Sequence, residues 1–129
     1  MKKILVVDDN PLNLKLIKTI LTVKGFNVIA VENPEAVLGV LDEIEPDLIF
    51  LDIQMPKLDG ITLLGKIREK FSKDMAPVIA LTAYAMRGDK EKFLEAGFDD
   101  YIEKPIDIKN FLKKVEDYIE NKTKDSDSG

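Results

Sequence analysis

Residues 48–60 have the sequence LIFLDIQMPKLDG, in which an unbroken apolar run ends at the acidic residue Asp52. A run that is apolar at nearly every position is typical of a strand that a parallel sheet buries on both faces. We therefore expect a central strand at residues 47–51, with an acidic residue at its carboxyl end. Four further apolar runs are expected to form strands, at residues 3–7, 26–31, 77–81 and 99–102.

Helical segments alternate with these strands. Apolar residues recur at helical spacing, for example from Ile108 to Ile119. Asn10 and Asn33, each followed by proline, and Asp107 are typical helix caps. Because parallel strands need long, right-handed crossovers, strict alternation predicts a doubly wound α/β domain of five strand–helix units. Acidic residues around the fifth run indicate an edge strand.

Composition limits the classes of function. The 129 residues are 45% hydrophobic and 33% charged, which predicts one soluble domain at 1–121, with no membrane insertion, and a polar, disordered tail at 122–129. The absence of cysteine and of a signal segment favours the cytoplasm. The absence of histidine excludes catalytic triads and zinc sites that need it. A net charge of -5, with scattered lysines, predicts no direct nucleic-acid binding.

Side chains suited to phosphate chemistry follow the predicted strands. The first strand is followed by Asp8 and Asp9, the third by Asp52, the fourth by Thr82 and the fifth by Lys104. Ligands of open parallel sheets bind beyond the carboxyl ends of the strands, so these side chains share one crevice if the first and third strands are neighbours. Any one aspartate alone could be a turn or cap residue, but the whole set favours a site.

Three carboxylates in one crevice require a positive partner. Two carboxylates ~5 Å apart repel by about 3 kcal/mol at an effective dielectric of ~20, which is large for a domain of ordinary stability. Oxygen ligands without His or Cys favour a hard cation, Mg²⁺ or Mn²⁺. Asp52 could then attack phosphorus, with Thr82 and Lys104 stabilising the transferred group. Since the chain has no histidine, any phosphohistidine donor is another protein; the alternative donor is a small phosphorylated molecule.

Four motifs lie on the predicted strands and the loops that follow them: VVDDN at 6–10, LIFLDIQMPKLDG at 48–60, ALTAYA at 80–85 and YIEKP at 101–105. They resemble the motifs of the receiver domains of two-component response regulators. The resemblance covers nearly the whole chain, in the order and at the spacing of the family. It implies a flavodoxin-like (βα)5 fold with strand order 2-1-3-4-5, and stand-alone receivers of the chemotaxis-regulator type are the best comparison.

The resemblance also implies the residues of a phosphorylation site. Asp52 would be the phosphoacceptor. Asp9, Asp52 and the backbone carbonyl of Gln54 would bind Mg²⁺, and Asp8 would act through water. The phosphoryl donor would be a sensor histidine kinase or a histidine phosphotransfer protein, and the downstream target is unknown. Such a protein is a signalling switch and not an enzyme, since it catalyses only its own phosphorylation and slow autodephosphorylation.

Further residues would couple this site to a partner-binding face. By resemblance, Lys104 contacts the phosphoryl group and Thr82 hydrogen-bonds it. Thr82 would move toward the phosphate while Tyr101 turns inward, which reshapes the face formed by the fourth helix, fifth strand and fifth helix. The peptide bond before Pro105 is expected to be cis.

Other functions are open on the sequence. A phosphatase of the haloacid dehalogenase type would also use Asp and Mg²⁺. That family has a second aspartate two residues after the nucleophile, where this chain has Gln54. A degenerate receiver would bind partners without phosphorylation. Flavodoxin-like cofactor binding would need a phosphate cradle, and the loop DDNPLN at 8–13 is acidic.

Overall fold

The chain alternates strands and helices as the sequence predicts. The computed structural model describes residues 2–55, 58–71, 76–83 and 89–128. The strands are β1 (Lys3–Val7), β2 (Asn27–Val31), β3 (Leu48–Asp52), β4 (Val78–Thr82) and β5 (Asp100–Glu103). The helices are α1 (Pro11–Val23), α2 (Val37–Glu43), which follows a 3-10 turn at Pro34–Ala36, α3 (Gly60–Lys70), α4 (Asp89–Ala96) and α5 (Ile108–Ser128).

The strands form one parallel sheet in the order β2-β1-β3-β4-β5. Every residue of β3 and β4 is buried, because helices cover both faces of the sheet there. The fifth strand lies at an edge, where the acidic residues around it reach solvent. The predicted fold class, a doubly wound flavodoxin-like sheet of this strand order, is confirmed.

The core has two layers, one on each face of the sheet. One layer packs α2, α3 and α4 against the sheet, with Leu63, Leu64 and Phe93 among its members. The other packs α1 and α5, and there the rings of Phe50 and Phe111 lie 4.8 Å apart. Burying one such side chain stabilises a fold by about 1.5–3 kcal/mol, so the two layers hold the strands in a fixed arrangement.

Helix caps lie where the sequence predicts them. The side chain of Asn10 accepts hydrogen bonds from the backbone of Leu12 and Asn13 at the start of α1. Asn33 caps the turn before α2, and Asp107 accepts from Lys109 at the start of α5. Each cap satisfies backbone N–H groups that have no partner within the helix.

The last helix extends further than the sequence predicts. We expect a disordered polar tail at 122–129, whereas α5 is helical as far as Ser128. The assignment of 1–121 as the domain and of 122–129 as its tail stays a prediction. Within the described part of the chain, no helix combines the length and apolar character needed to cross a membrane.

Candidate phosphorylation site

The sheet brings the carboxyl ends of four strands together. Val7 of β1 pairs with Leu51 of β3, so the residues that follow them are neighbours. Asp52 pairs with Leu81 of β4, and the next residue of β4 is Thr82. The register thus places polar residues of separate motifs at one edge of the sheet, as strand order 2-1-3-4-5 requires.

Three carboxylates converge at this edge. Asp8, Asp9 and Asp52 each have an oxygen within 4.8 Å of an oxygen of the other two. Asp8 and Asp52 are buried, with 0% and 2% of their surface exposed, while Asp9 is half-buried. The sequence predicts this cluster only if the first and third strands are neighbours. The two strands are paired, and the three carboxylates lie together.

The loops after β1 and β3 orient two of these carboxylates in the same way. Oδ1 of Asp8 accepts a hydrogen bond from the backbone N–H of Asn10 at 2.9 Å. Oδ1 of Asp52 accepts from the N–H of Gln54 at 3.0 Å. One oxygen of each carboxylate is held by its own loop, which leaves the second oxygen for other partners.

Lys104 contacts both second oxygens. Its Nζ lies 3.2 Å from Oδ2 of Asp8 and 3.2 Å from Oδ2 of Asp52. The backbone N–H of Lys104 donates to the carbonyl of Thr82 at 2.7 Å, which fixes the start of this side chain beside β4. The peptide bond between Lys104 and Pro105 is cis.

One lysine does not balance three acids. The pKa of Asp52 is raised from 3.8 to about 7, mainly by burial; the Gln54 N–H lowers the pKa, the charge of Asp8 raises it, and Lys104 lowers it. Among the described residues, Oδ2 of Asp8 is buried and makes no hydrogen bond, so its contact with Lys104 is an ion pair only. Oxygen donors, excess negative charge and an unsatisfied buried oxygen fit a hard divalent cation.

Thr82 and Tyr101 lie on adjacent strands beside the cluster. Thr82 is buried at the end of β4 and pairs with Glu103 of β5. Tyr101 is half-buried on β5, and its ring centroid lies 6.3 Å from that of Phe93 in α4. Tyr84, in the motif at 80–85, lies outside the described residues.

Gly60 shapes the loop after β3, as its residue type indicates, and also makes a close backbone contact that was not predicted. It starts α3, and its N–H donates to the carbonyl of Ile53 at 2.9 Å. A Cβ on Gly60 would overlap the carbonyl oxygen of Asp52 and crowd the Cα of Ile53. The glycine after the predicted strand and loop was the available signal, but it indicates only a tight loop. Pro56, in the same loop, lies outside the described residues.

Comparison with known proteins assigns the family. The sequence model of the response regulator receiver domain matches residues 4–116. The chain belongs to this family. Receiver domains are modules of two-component signalling and not enzymes in the ordinary sense, so the resemblance noted in the sequence is confirmed at the level of family.

Two relatives illustrate how this receiver domain compares in sequence. It is 35% identical over 118 residues to the polar-differentiation response regulator DivK of Brucella anthropi. This match covers 92% of this chain and 96% of that protein. It is 43% identical over 125 residues to hybrid signal transduction histidine kinase I of Dictyostelium discoideum. That match covers 92% of this chain but 7% of the kinase, so the receiver spans a small part of that relative.

Solved structures give the same result for the fold. A CheY-like receiver domain protein from Methanospirillum hungatei superposes with a TM-score of 0.86 at 29% identity, covering 97% of this chain and 98% of the other. The receiver domain of a sensor histidine kinase from Pseudomonas aeruginosa gives a TM-score of 0.81 at 33% identity, covering 92% and 97%. The latter structure has a magnesium ion coordinated in its active-site cleft.

Proposed function

We propose that this receiver domain accepts a phosphoryl group on Asp52 from the phosphohistidine of a separate protein. In this reaction a carboxylate oxygen of Asp52 forms a bond to phosphorus, and the phosphorus–nitrogen bond breaks. The electron pair of that bond stays on the histidine nitrogen of the donor. The observation that carries the proposal is the buried Asp52 carboxylate, which has one oxygen held by the Gln54 N–H and the other beside Lys104.

A divalent ion, Mg²⁺ or Mn²⁺, would bind at the acidic cluster. Asp9, Asp52 and the backbone carbonyl of Gln54 would hold it, and Asp8 would act through water. When bound, the ion compensates the negative charge of the phosphoryl oxygens. The fit rests on the oxygen atoms of the three aspartates, which lie close enough for one ion and carry more charge than Lys104 balances.

Lys104 and Thr82 would stabilise the transferred group. The Nζ of Lys104 lies 3.2 Å from Oδ2 of Asp52, so a small movement would bring the ammonium into contact with the phosphoryl oxygens. Thr82, buried at the neighbouring strand end, would donate its hydroxyl to a phosphoryl oxygen. Phosphoryl transfer needs mainly positioning and charge stabilisation, and these two donors supply both.

Phosphorylation would then change the face formed by α4, β5 and α5. Thr82 would move toward the phosphate, and the Tyr101 ring would turn inward behind it. Tyr101 is half-buried and packs beside Phe93 of α4, so a change in its ring position alters the contacts between β5 and α4. A downstream target protein would recognise this altered face.

The donor protein would dock along α1. Leu12 and Leu16 are 76% and 41% exposed, and their i, i+4 spacing places them on one side of the helix. This helix begins at Pro11, two residues after Asp9. A sensor histidine kinase or a histidine phosphotransfer protein with an apolar surface beside its phosphohistidine would cover both leucines while it reaches Asp52.

Incubation with acetyl phosphate and Mg²⁺ tests the proposal. Intact-mass measurement should show one added phosphoryl group on the wild type and none on Asp52→Asn. Asp42→Asn is the matched control, because Asp42 is exposed and pairs with Lys70 away from the cleft. Absence of an adduct in the wild type would favour a receiver that works without phosphorylation. Sustained turnover of free phosphomonoesters would favour a phosphatase.

A further inference from the structure

Lys114 reaches across the outer edge of the sheet from α5. Its Nζ donates to the backbone carbonyl of Tyr101 at 3.1 Å. The same ammonium lies 5.8 Å from the centroid of the Tyr101 ring. One lysine therefore contacts both the backbone and the side chain of Tyr101.

Asp100 holds this lysine in place. Its Oδ1 lies 3.1 Å from Nζ of Lys114 and also accepts the backbone N–H of Tyr101 at 2.7 Å. Its Oδ2 accepts the hydroxyl of Tyr118, one turn further along α5, at 3.1 Å. Neither anchor of the ammonium, the Asp100 carboxylate nor the Tyr101 carbonyl, is part of the Tyr101 ring. The ammonium can therefore keep its position when the ring moves.

The Tyr101 ring thus lies between two helices. Phe93 of α4 is on one side, with ring centroids 6.3 Å apart, and the Lys114 ammonium reaches it from α5. A cation near the face of a tyrosine ring is attracted to it, and rotation of the ring away from Lys114 gives up that attraction.

The geometry points to Lys114 as a positioning residue that favours the present place of the Tyr101 ring and opposes its rotation. The ion pair with Asp100 holds the Lys114 ammonium in place, and the cation–π contact favours the present position of the Tyr101 ring. The consequence for signalling rests on the proposed function: Lys114 would raise the threshold at which phosphorylation of Asp52 turns Tyr101. Loss of Lys114 should therefore shift the ring in the absence of any phosphate.

The test is the distribution of Tyr101 χ1 rotamers in the unphosphorylated, metal-free protein, measured by three-bond NMR couplings to Cγ. In Lys114→Met, the ratio of the present rotamer to the others should fall by about two- to fivefold, the effect of one partly exposed cation–π contact. Lys114→Arg should restore the ratio. Lys113→Met removes the same charge from the adjacent, exposed position and should leave it unchanged. Asp100→Asn should shift it in the same direction, and it replaces Lys114→Met if that variant does not fold.

An unchanged ratio in a folded Lys114→Met protein, or an equal change in Lys113→Met, would overturn the inference. A second measurement separates this result from the proposed function. Wild-type protein with Mg²⁺ and beryllofluoride, a phosphoryl analogue, should show a new Tyr101 rotamer distribution. If it does not, the proposed switch is wrong, whereas the comparison of Lys114 variants without phosphate still decides the role of Lys114.

Discussion

Nζ of Lys104 lies 3.2 Å from Oδ2 of Asp52, so the lysine is the internal counter-ion of the proposed phosphoacceptor. It makes an equal contact with Asp8, whose second oxygen makes no hydrogen bond among the described residues. Removing the lysine would leave two buried carboxylates without a cation.

Lys104→Met should therefore destabilise the metal-free domain. We expect the free energy of unfolding to fall by at least about 1–3 kcal/mol at neutral pH, the range for leaving a buried polar group without its partner. Urea denaturation followed by circular dichroism measures this change. Lys70→Met is the control, since the pair of Lys70 with Asp42 is exposed and an exposed pair contributes at most about 1 kcal/mol. Equal losses in both variants would contradict the counter-ion role.

The raised pKa of Asp52 predicts how metal-free stability depends on pH. In the unfolded chain the group titrates near its ordinary pKa of 3.8, and in the folded protein near 7. Between these two pH values the folded state keeps a proton that the unfolded state releases. The contribution of Asp52 to the free energy of unfolding is therefore complete below pH 3.8 and is lost as the pH rises through about 7. In EDTA, wild-type stability should fall over this interval more steeply than that of Asp52→Asn. Parallel pH profiles would show that Asp52 titrates normally.

Metal binding should stabilise the domain without being needed for folding. The cluster lies at the strand ends and Asp9 is half-exposed, so the core does not depend on an ion. Mg²⁺ at ten times its Kd should raise the free energy of unfolding by about 1.4 kcal/mol. Chelation should abolish phosphorylation and leave a cooperative thermal melt. Asp9→Asn should weaken the magnesium effect, whereas Asp59→Asn, at the exposed cap of α3, should retain it. A melt that collapses in EDTA would refute this view.

Thr82→Ala should separate phosphorylation from the response. The variant should still gain a phosphoryl group, because the nucleophile and Lys104 remain. It should lose most of the change at Tyr101, because the hydroxyl that would follow the phosphate is gone. Fluorine NMR of protein labelled with 3-fluorotyrosine reports that change with and without acetyl phosphate and Mg²⁺. Thr62→Ala, an exposed position on α3, should respond like wild type. A full response in Thr82→Ala would break the proposed link.

Gly60→Ala should disturb the site through the backbone. The added Cβ would overlap the carbonyl of Asp52, so α3 or the loop must shift, at a cost of about 1–3 kcal/mol. The affinity for Mg²⁺ should fall together with the free energy of unfolding. A Cβ on Gly65 would meet nothing within 4 Å among the described residues beyond its own helix, and alanine there should be neutral or stabilise by up to about 1 kcal/mol. Calorimetric titration with Mg²⁺ and urea denaturation compare the two. Equal effects of both substitutions would rule out the steric argument.

The fold was largely predictable because the residue pattern of the central strands indicates burial on both faces, and that of the fifth strand indicates an edge. The apolar runs gave the central strands β3 and β4 within a residue of their observed bounds, and the acids around β5 gave its edge position. The convergence of Asp8 and Asp52 could be predicted less directly. It requires β1 and β3 to be neighbours, which the residue pattern left conditional and the family resemblance supplied.

Two features could not be predicted, since both depend on how a helix is oriented against the sheet. The contact between Gly60 and the Asp52 carbonyl depends on the angle at which α3 leaves its loop. The reach of Lys114 to Tyr101 depends on the rotation of α5 about its axis. Spacing along the chain places a lysine on one side of a helix, but it does not say which backbone atom that lysine meets.

The groups around Tyr101 also restrict how another polypeptide can approach β5. The outward N–H of Tyr101 is already bonded to Asp100, and its outward carbonyl to Lys114. An incoming strand would have to displace both side chains before it could extend the sheet at this residue. A protein that recognises this border would therefore do so by meeting side chains, and the domain is guarded there against edge-to-edge aggregation.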